Sequence, residues 1–277
     1  MIDSMEIIGE SLIQHGKAND RAYVMKIGKN DYPGIVGDVV ALARANGYSK
    51  IFVKAPAFAR PAFMDSGFVE EARVPGLFQG EEDGFFLSRF FSPEREAEGQ
   101  PDLVAEILEA ARQKRGKTGD AKLPAGHACR VMQKDDVEEM ARLYRQVFAS
   151  YPFPIHDPDY LARTMDENLS YYGIWIDSRL IALSSAEIDF AGKNAEMTDF
   201  ATLPECRGSG LATYLLDQME SGIKQSGIQT AYTIARAYSF GMNITFAKHG
   251  YAFGGTLVHN TQISGNLESM NVWYKHL

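Results

Sequence analysis

Short runs of alternating apolar and polar residues fill most of the chain, and stretches of helical spacing separate them. In the C-terminal part, residues 129–133 (CRVMQ) read as a strand. Asp135 and Asp136 then precede a helix whose apolar residues Val137, Met140, Ala141, Leu143, Tyr144 and Phe148 recur at three- and four-residue intervals. Residues 151–155 (YPFPI) break that pattern, and 157–168 return to it. Three strand-like runs follow at 171–176, 179–188 and 194–203, with Gly192, Lys193 and Asn194 as a turn. The sequence RGSG at 207–210 opens a helix over 211–225, residues 228–235 form another strand, and 239–249 a helix closed by Gly250. Residues 253–260 and 268–275 pair as two late strands. The predicted order is β-α-α-β-β-β-α-β-α-β-β, an α/β arrangement on a mixed α+β sheet.

Residues 1–92 form a second α/β unit. Its most regular part is an amphipathic helix over 35–46, with Asp31 expected as its cap and Pro33 as its start. Between the units, residues 93–125 are charged and rich in Gly, Pro and Ala. Leu103, Ile107, Leu108 and Ala111 share one face of a helix there, which Pro101 and Asp102 start and Gly116 stops; a flexible basic piece, KRGKTG, follows. A faint repeat links the halves. Residues 47–68 and 227–251 both run Gly, strand, helix, Gly-aromatic, and an amphipathic helix precedes each.

Composition narrows the function classes. A chain of 277 residues fits two modest domains, and a net charge of −8 argues against a nucleic-acid-binding role. The two cysteines imply no disulfide framework, and no apolar run approaches the ~18–20 residues of a membrane helix. The opening MIDSMEIIGESL lacks the basic-then-apolar order of a signal peptide, so a cytoplasmic protein without membrane partner is expected. The six histidines show no ligand spacing, and no metal is expected.

The chemistry concentrates at residues 200–213. Pro204 ends a strand, and glycines open a helix. The first amides of a helix lack intrahelical partners and favour an anion such as a diphosphate, and Arg207 adds a cation at the entrance. The turn is not a G-x-G-x-x-G dinucleotide fingerprint, because Thr213 holds the last position, and the chain has no Gly-Lys-Ser/Thr phosphate loop.

The pattern Arg207-x-x-Gly210-x-Ala212 after a Leu-Pro strand end, with Ser239, Asn243 and the run from Phe246 to Tyr251, resembles the GNAT superfamily of N-acetyltransferases. The pieces at 11–27, 47–56, 80–90, 197–216 and 243–275 are similar, over nearly the full length, to its β-lysine N-acetyltransferase family. The resemblance implies a GNAT fold in residues 126–277, after a degenerate GNAT-like N-terminal domain without a CoA site. It also implies acetyl-CoA as cosubstrate, and acetylation of the side-chain amine of β-lysine to a neutral compatible solute. On this basis Gly208, Ser209, Gly210, Leu211 and Ala212 would hold the pyrophosphate. Phe200, Ala201, Thr202 and Leu203 would pair with pantetheine, and Ser239, Asn243 and Phe246 would lie beside it.

Acetyl transfer to an amine needs a base, since an alkylammonium with pKa ~10.4 is mostly unreactive at neutral pH. Glu196 is the expected base, and the resemblance places a catalytic Glu of some members there; Asp199 is next. On a regular strand the two face opposite sides, and a bulge would change that. Arg236, Asn260, Asn271, Glu187 and Glu268 are candidates for the acceptor's charged groups. Where many members carry a Tyr acid this chain has Phe246, which leaves Tyr238, Tyr251 or water. Another small amine acceptor, a non-catalytic acyl-CoA sensor and a homodimer stay open.

Overall fold

The computed structural model describes residues 3–117 and 122–277, so the end of the KRGKTG stretch lies outside the described residues. The chain runs β1 (Ser4–Ile8), β2 (Ser11–Gly16), β3 (Arg21–Lys26), α1 (Ile35–Asn46), β4 (Lys50–Pro56), α2 (Arg60–Asp65), β5 (Val69–Phe78) and β6 (Glu82–Phe90). Then come α3 (Pro93–Glu96), α4 (Pro101–Lys114), β7 (His127–Val131), α5 (Val137–Val147), α6 (Pro158–Glu167), β8 (Leu169–Ile176), β9 (Arg179–Asp189) and β10 (Asn194–Thr202). Last are α7 (Leu211–Gln225), β11 (Thr230–Arg236), α8 (Phe240–Lys248), β12 (Ala252–Ile263) and β13 (Asn266–His276). Among the described residues no helix is long and apolar enough to cross a membrane.

All thirteen strands join one sheet, in the order β1-β2-β3-β4-β6-β5-β12-β13-β11-β10-β9-β8-β7. The order is a near-mirror about its middle. On each side a parallel pair (β3–β4, β10–β11) spans a crossover helix, and the next two strands return antiparallel. A single ladder pair, Gly255 with Ala72, connects β12 to β5 across the centre.

Each side has its own core. Ile35, Val39, Val53 and Phe63 pack the first; Leu143, Tyr144, Leu183, Met219 and Phe246 anchor the second. A third cluster, including Tyr23, Phe52, Phe86, Tyr232, Leu257 and Val272, draws on both. Polar bonds cross the same boundary. Lys50, fully buried, reaches Glu71 and the Val258 carbonyl at 2.7 Å each, and Thr230 donates to the Gly76 carbonyl at 2.8 Å.

Two local expectations change. Asp31 does not cap α1: its carboxylate accepts from the Glu10 amide at 2.8 Å and Ser11 Oγ at 2.6 Å, and Gly34 takes the cap position beyond Pro33. The buried face of α4 is Val104, Ile107, Leu108 and Ala111, with Leu103 only half-buried, because the helix is rolled one position to lie along α8.

Gly255 has φ +147, and a Cβ there would meet the Glu71 carbonyl and lie 2.7 Å from Ala72 Cα. Both neighbours are backbone and cannot yield as a side-chain tip does. Gly255→Ala is therefore expected to destabilise the protein by about 2–3 kcal/mol in urea unfolding. A loss below about 0.5 kcal/mol, the scale of an ordinary surface change, would show that the central seam is not tightly packed.

Candidate active site

The site is built on a row across the sheet. Glu187 on β9 is the register partner of Glu196 on β10, and Glu196 that of Tyr232 on β11. Two carboxylates directly opposite on neighbouring strands repel each other. Burial pushes the Glu196 carboxyl up to about 7, and the charge of Glu187 adds to the rise, against the opposing pull of Lys54 and a hydrogen bond from Tyr232. Burial raises Glu187 as well, while Lys54 draws it back. A carboxyl poised near neutrality suits proton abstraction at physiological pH.

Asp199 joins the same cavity because β10 is not regular. The pairing with β9 shifts register between Thr198 and Ala201, and Asp199 sits in the bulge with φ +55. The bulge cancels the alternation that would have turned Asp199 away from Glu196. Its carboxylate is held by Ser185 Oγ and Tyr151 Oη, each at 2.5 Å, and by Thr198 Oγ1 at 3.3 Å. Burial raises its pKa, and these hydroxyls oppose the rise. Bound by three donors, Asp199 is less free than Glu196 to take a proton.

The bulge also opens the sheet. The parallel pairing of β10 with β11 runs only from Asn194 to Glu196. Farther along, Ala201 and Thr202 keep their partners on β9 alone, and the Leu203 amide bonds to the Ile181 carbonyl. Phe200 to Leu203 thus border a gap between two parting strands.

At the end of that gap the chain turns into α7. Gly208 and Gly210 both have φ +81, Gly210 is the cap, and no side chain bonds to the first-turn amides. Arg207, Gly208, Ser209 and Gly210 are exposed, with Leu211 and Ala212 opening the helix. Arg207 Nε reaches the Thr202 carbonyl at 3.3 Å, and Ser209 Oγ the Cys206 carbonyl at 2.5 Å. A turn with free, exposed amides at a helix start accommodates a diphosphate.

The residues on α8 serve the framework. Ser239 caps the helix through the Met242 amide. Asn243 is fully buried; its amide donates to the Arg236 and Ser239 carbonyls, and its oxygen accepts from Asn271 and Trp273 at 2.9 Å each. This knot, which also engages Asn271, commits both polar ends of the Asn243 side chain. Phe246 is buried edge-on to Phe200 and Tyr251. Arg236 and Glu268 neutralise each other in a two-pronged ion pair at 2.8 and 2.5 Å, so neither is left for an acceptor.

A cavity of about 520 Å³ collects Glu187, Glu196, Thr198 and Asp199. Tyr151 to Ile155 and one face of α6 (Tyr160, Arg163, Thr164) form its rim, as the YPFPI break suggested. Asn260, Thr261 and Met270 add a C-terminal stretch of wall, and the N-terminal side supplies Asp3, Gln14, Arg21, Tyr23, Phe52 and Lys54. Sequence reasoning missed these N-terminal residues. The available signal was Arg21 itself, a cation opening a strand that is otherwise buried on both faces.

Comparison with known proteins follows the same outline. Residues 137–251 match the model of the acetyltransferase (GNAT) family. The chain is 37% identical over 268 residues to the β-lysine N(6)-acetyltransferase of Methanococcus maripaludis, covering 97% of each. It is 32% identical over 282 residues to the N-acetyltransferase YodP of Bacillus subtilis, covering all of both. It is 30% identical to the β-lysine N(6)-acetyltransferase of Methanosarcina mazei, over 88% of this chain and 97% of that one.

The raised Glu196 carboxyl has a consequence for stability. Its folded pKa, about 7, lies above the ordinary glutamate value of ~4.3, so folding binds a proton that the unfolded chain releases, and stability falls as pH rises between the two. Glu196→Gln is therefore expected to be near-neutral at low pH and stabilising at pH 8, on the order of 1–3 kcal/mol. Denaturant melts at the two pH values check this, and an equal effect at both would mean that Glu196 is not desolvated.

Proposed function

The chain belongs to the acetyltransferase (GNAT) family and is an acetyl-CoA-dependent N-acetyltransferase; on that premise we propose that its acceptor is β-lysine, acetylated on the side-chain amine to Nε-acetyl-β-lysine. The observation that carries this reading is the carboxylate-lined cavity beside the parted strands. β-Lysine brings two ammonium groups, and Glu187, Glu196 and Asp199 offer them partners in one enclosed space. The curated relatives named for that substrate match both halves of the chain, including the strands that wall the cavity.

Glu196 removes the proton from the side-chain ammonium, directly or through a water. A free alkylammonium has a pKa of ~10.4, and the nearby carboxylates would hold its charge until Glu196 accepts the proton. Glu187 and Asp199 then face the second ammonium, with Asp199 kept in place by Ser185 and Tyr151. Bound acetyl-CoA supplies the acetyl group as a thioester. The amides from Gly208 to Ala212 and the Arg207 guanidinium would hold its diphosphate. The exposed peptide edge from Phe200 to Leu203 would align the pantetheine arm as an added strand, which fixes the distance to the amine. The acceptor cavity is complete within one chain, so no second copy is needed. The free thiols and the use of acetyl-CoA fit a cytoplasmic enzyme.

The N-terminal unit is read as a degenerate copy that binds no CoA. By strand order its β3–α1 turn stands where the β10–α7 turn does. That turn carries the Asp31 carboxylate, lowered in pKa by hydrogen bonds from Ser11 and the Glu10 amide, and this negative group would repel a diphosphate.

With β-lysine, kcat/KM should rise with pH through about 7, the Glu196 value, and level off above it. Glu196→Gln should flatten that limb and cut turnover by about 10²–10⁴-fold. Thiol release measured across a panel of β-lysine, lysine, spermidine and an aminoglycoside tests the acceptor; a better rate with any other amine would displace β-lysine. In a separate titration, Gly210→Val should weaken acetyl-CoA binding by at least tenfold, about 1.4 kcal/mol, since the side chain disfavours the left-handed cap. Unchanged affinity would move the diphosphate away from this turn.

A further inference from the structure

The acceptor cavity contains a buried cation, Arg21, that no carboxylate of the described residues pairs with directly; Asp3, which also lines the cavity, and Glu196 act on it at longer range. Arg21 is only 3% exposed, and among the described residues no carboxylate lies within salt-bridge distance of its guanidinium. Its recorded contacts are neutral oxygens. Nη1 donates to the Asn260 carbonyl and, at 3.3 Å, to Thr261 Oγ1; Nη2 donates to Gln14 Oε1 at 3.4 Å. Nε has no partner, and neither does the buried Asn260 Oδ1. Asp3, a nearby acid, is occupied by the Ala18 amide at 3.0 Å and Asn19 Nδ2 at 2.5 Å. A buried charge without a counter-ion is strongly unfavourable, so a site that keeps one is built to receive the opposite charge.

The position fits the acceptor. Arg21, Tyr23 and Met25 alternate along β3 onto the cavity. Tyr23 lies between the two charge centres: it feels Glu196 and Glu187 on one side and Arg21 on the other. The Arg21 guanidinium also lies 5.2 Å from the Tyr23 ring centre and 5.6 Å from that of Phe52, two faces that fix its plane. Lys54, another cation of the wall, faces Glu187 and Glu196, so its charge is answered within the protein.

We infer that Arg21, supplied by the N-terminal unit, anchors the carboxylate of the acceptor and makes the enzyme selective for amino acids over carboxylate-free diamines. A planar guanidinium meets a carboxylate with two parallel N–H···O bonds, and its Nε–H is the free donor. The substrate then spans the cavity, carboxylate at Arg21 and reacting amine at Glu196. This rests on the acceptor assigned above and gives the N-terminal unit a direct part in choosing it. Arg21 acts in specificity, away from the proton that moves.

The test compares β-lysine with its amide, which keeps both amines and loses the negative charge. Wild-type enzyme should favour the acid by about 30–100-fold in kcat/KM, most of it in KM. Arg21→Gln should erase that preference, leaving the amide and the acetyl-CoA affinity within about threefold of wild type. Arg21→Lys, which keeps charge but not the fork, should fall between. Equal losses with acid and amide, or no preference in the wild type, would overturn the anchor; the wild-type comparison decides even if Arg21→Gln does not fold. Running lysine and its amide in parallel separates the two ideas. An acid preference that Arg21→Gln abolishes, seen with lysine while β-lysine is not turned over, keeps the anchor and removes β-lysine. Turnover of β-lysine without preference does the reverse.

Discussion

One backbone contact, Gly255 against Ala72, turns two sheets into one. The cavity depends on it. Without that seam, β3 and β4 would not stand opposite β10, and Glu196 would face open water. A carboxylate in water ionises at its ordinary pKa, as its hydration requires. Closing the N-terminal wall over it strips that water and pushes the carboxyl up to about 7. The seam is close because Gly254 and Gly255 carry no side chains; a Cβ on Gly254 would sit 2.7 Å from the Arg73 carbonyl. Backbone approach at the centre of the sheet and proton affinity at the site are thus one arrangement.

The same enclosure explains the polarity of the cavity. Bringing Glu187 against Glu196 costs stability, and so does leaving Arg21 without an acid. Folding alone would favour pairing these charges, as Arg236 does with Glu268 and Lys50 with Glu71. Instead Glu187, Glu196 and Asp199 lie on β9 and β10 while the Arg21 guanidinium stays on β3, and the nearby Asp3 carboxylate is turned to Ala18 and Asn19. A substrate with a side-chain ammonium at one end and a carboxylate at the other relieves both strains at once. The binding energy gained there is available to align the amine.

The C-terminal elements were legible because their alternation and helical spacing are regular, and the turns are punctuated by glycine. The site was less so. Residues 194–203 alternate except at Asp199 and Phe200, and such a two-residue irregularity does not by itself identify a bulge; it follows from how β10 pairs with β9. The hairpin of β1 and β2 escaped for a different reason. β1 is an edge strand with Met5 50% and Ile7 69% exposed, so its apolar residues do not report a core. Asp31 had the sequence of a cap, but a hydroxyl and an amide on the β1–β2 turn compete for its carboxylate and win. Asn243 was legible as a special residue of α8, yet its partners, Asn271 and Trp273, lie on a strand nearly thirty residues away.

The matching strand order of the two halves bears on how one serves the other. In each parallel pair the third register position contributes to the cavity: Glu196, whose partner Tyr232 lies in the core, on one side, and Tyr23 with Phe52 on the other. The pair on β10 and β11 has a carboxylate and a phenol; its counterpart has two aromatic rings tilted at 37° with centroids 4.5 Å apart. Two positions before Tyr23, where β10 has Asn194, β3 has Arg21. A unit whose turn carries Asp31 in place of free amides is poorly suited to a diphosphate, yet its sheet face keeps the geometry of a binding wall. The Arg21 guanidinium on that face supplies what a second carboxylate-rich face could not, a group that accepts negative charge. The N-terminal unit accordingly supplies one wall of the cavity that Glu187, Glu196 and Asp199 line.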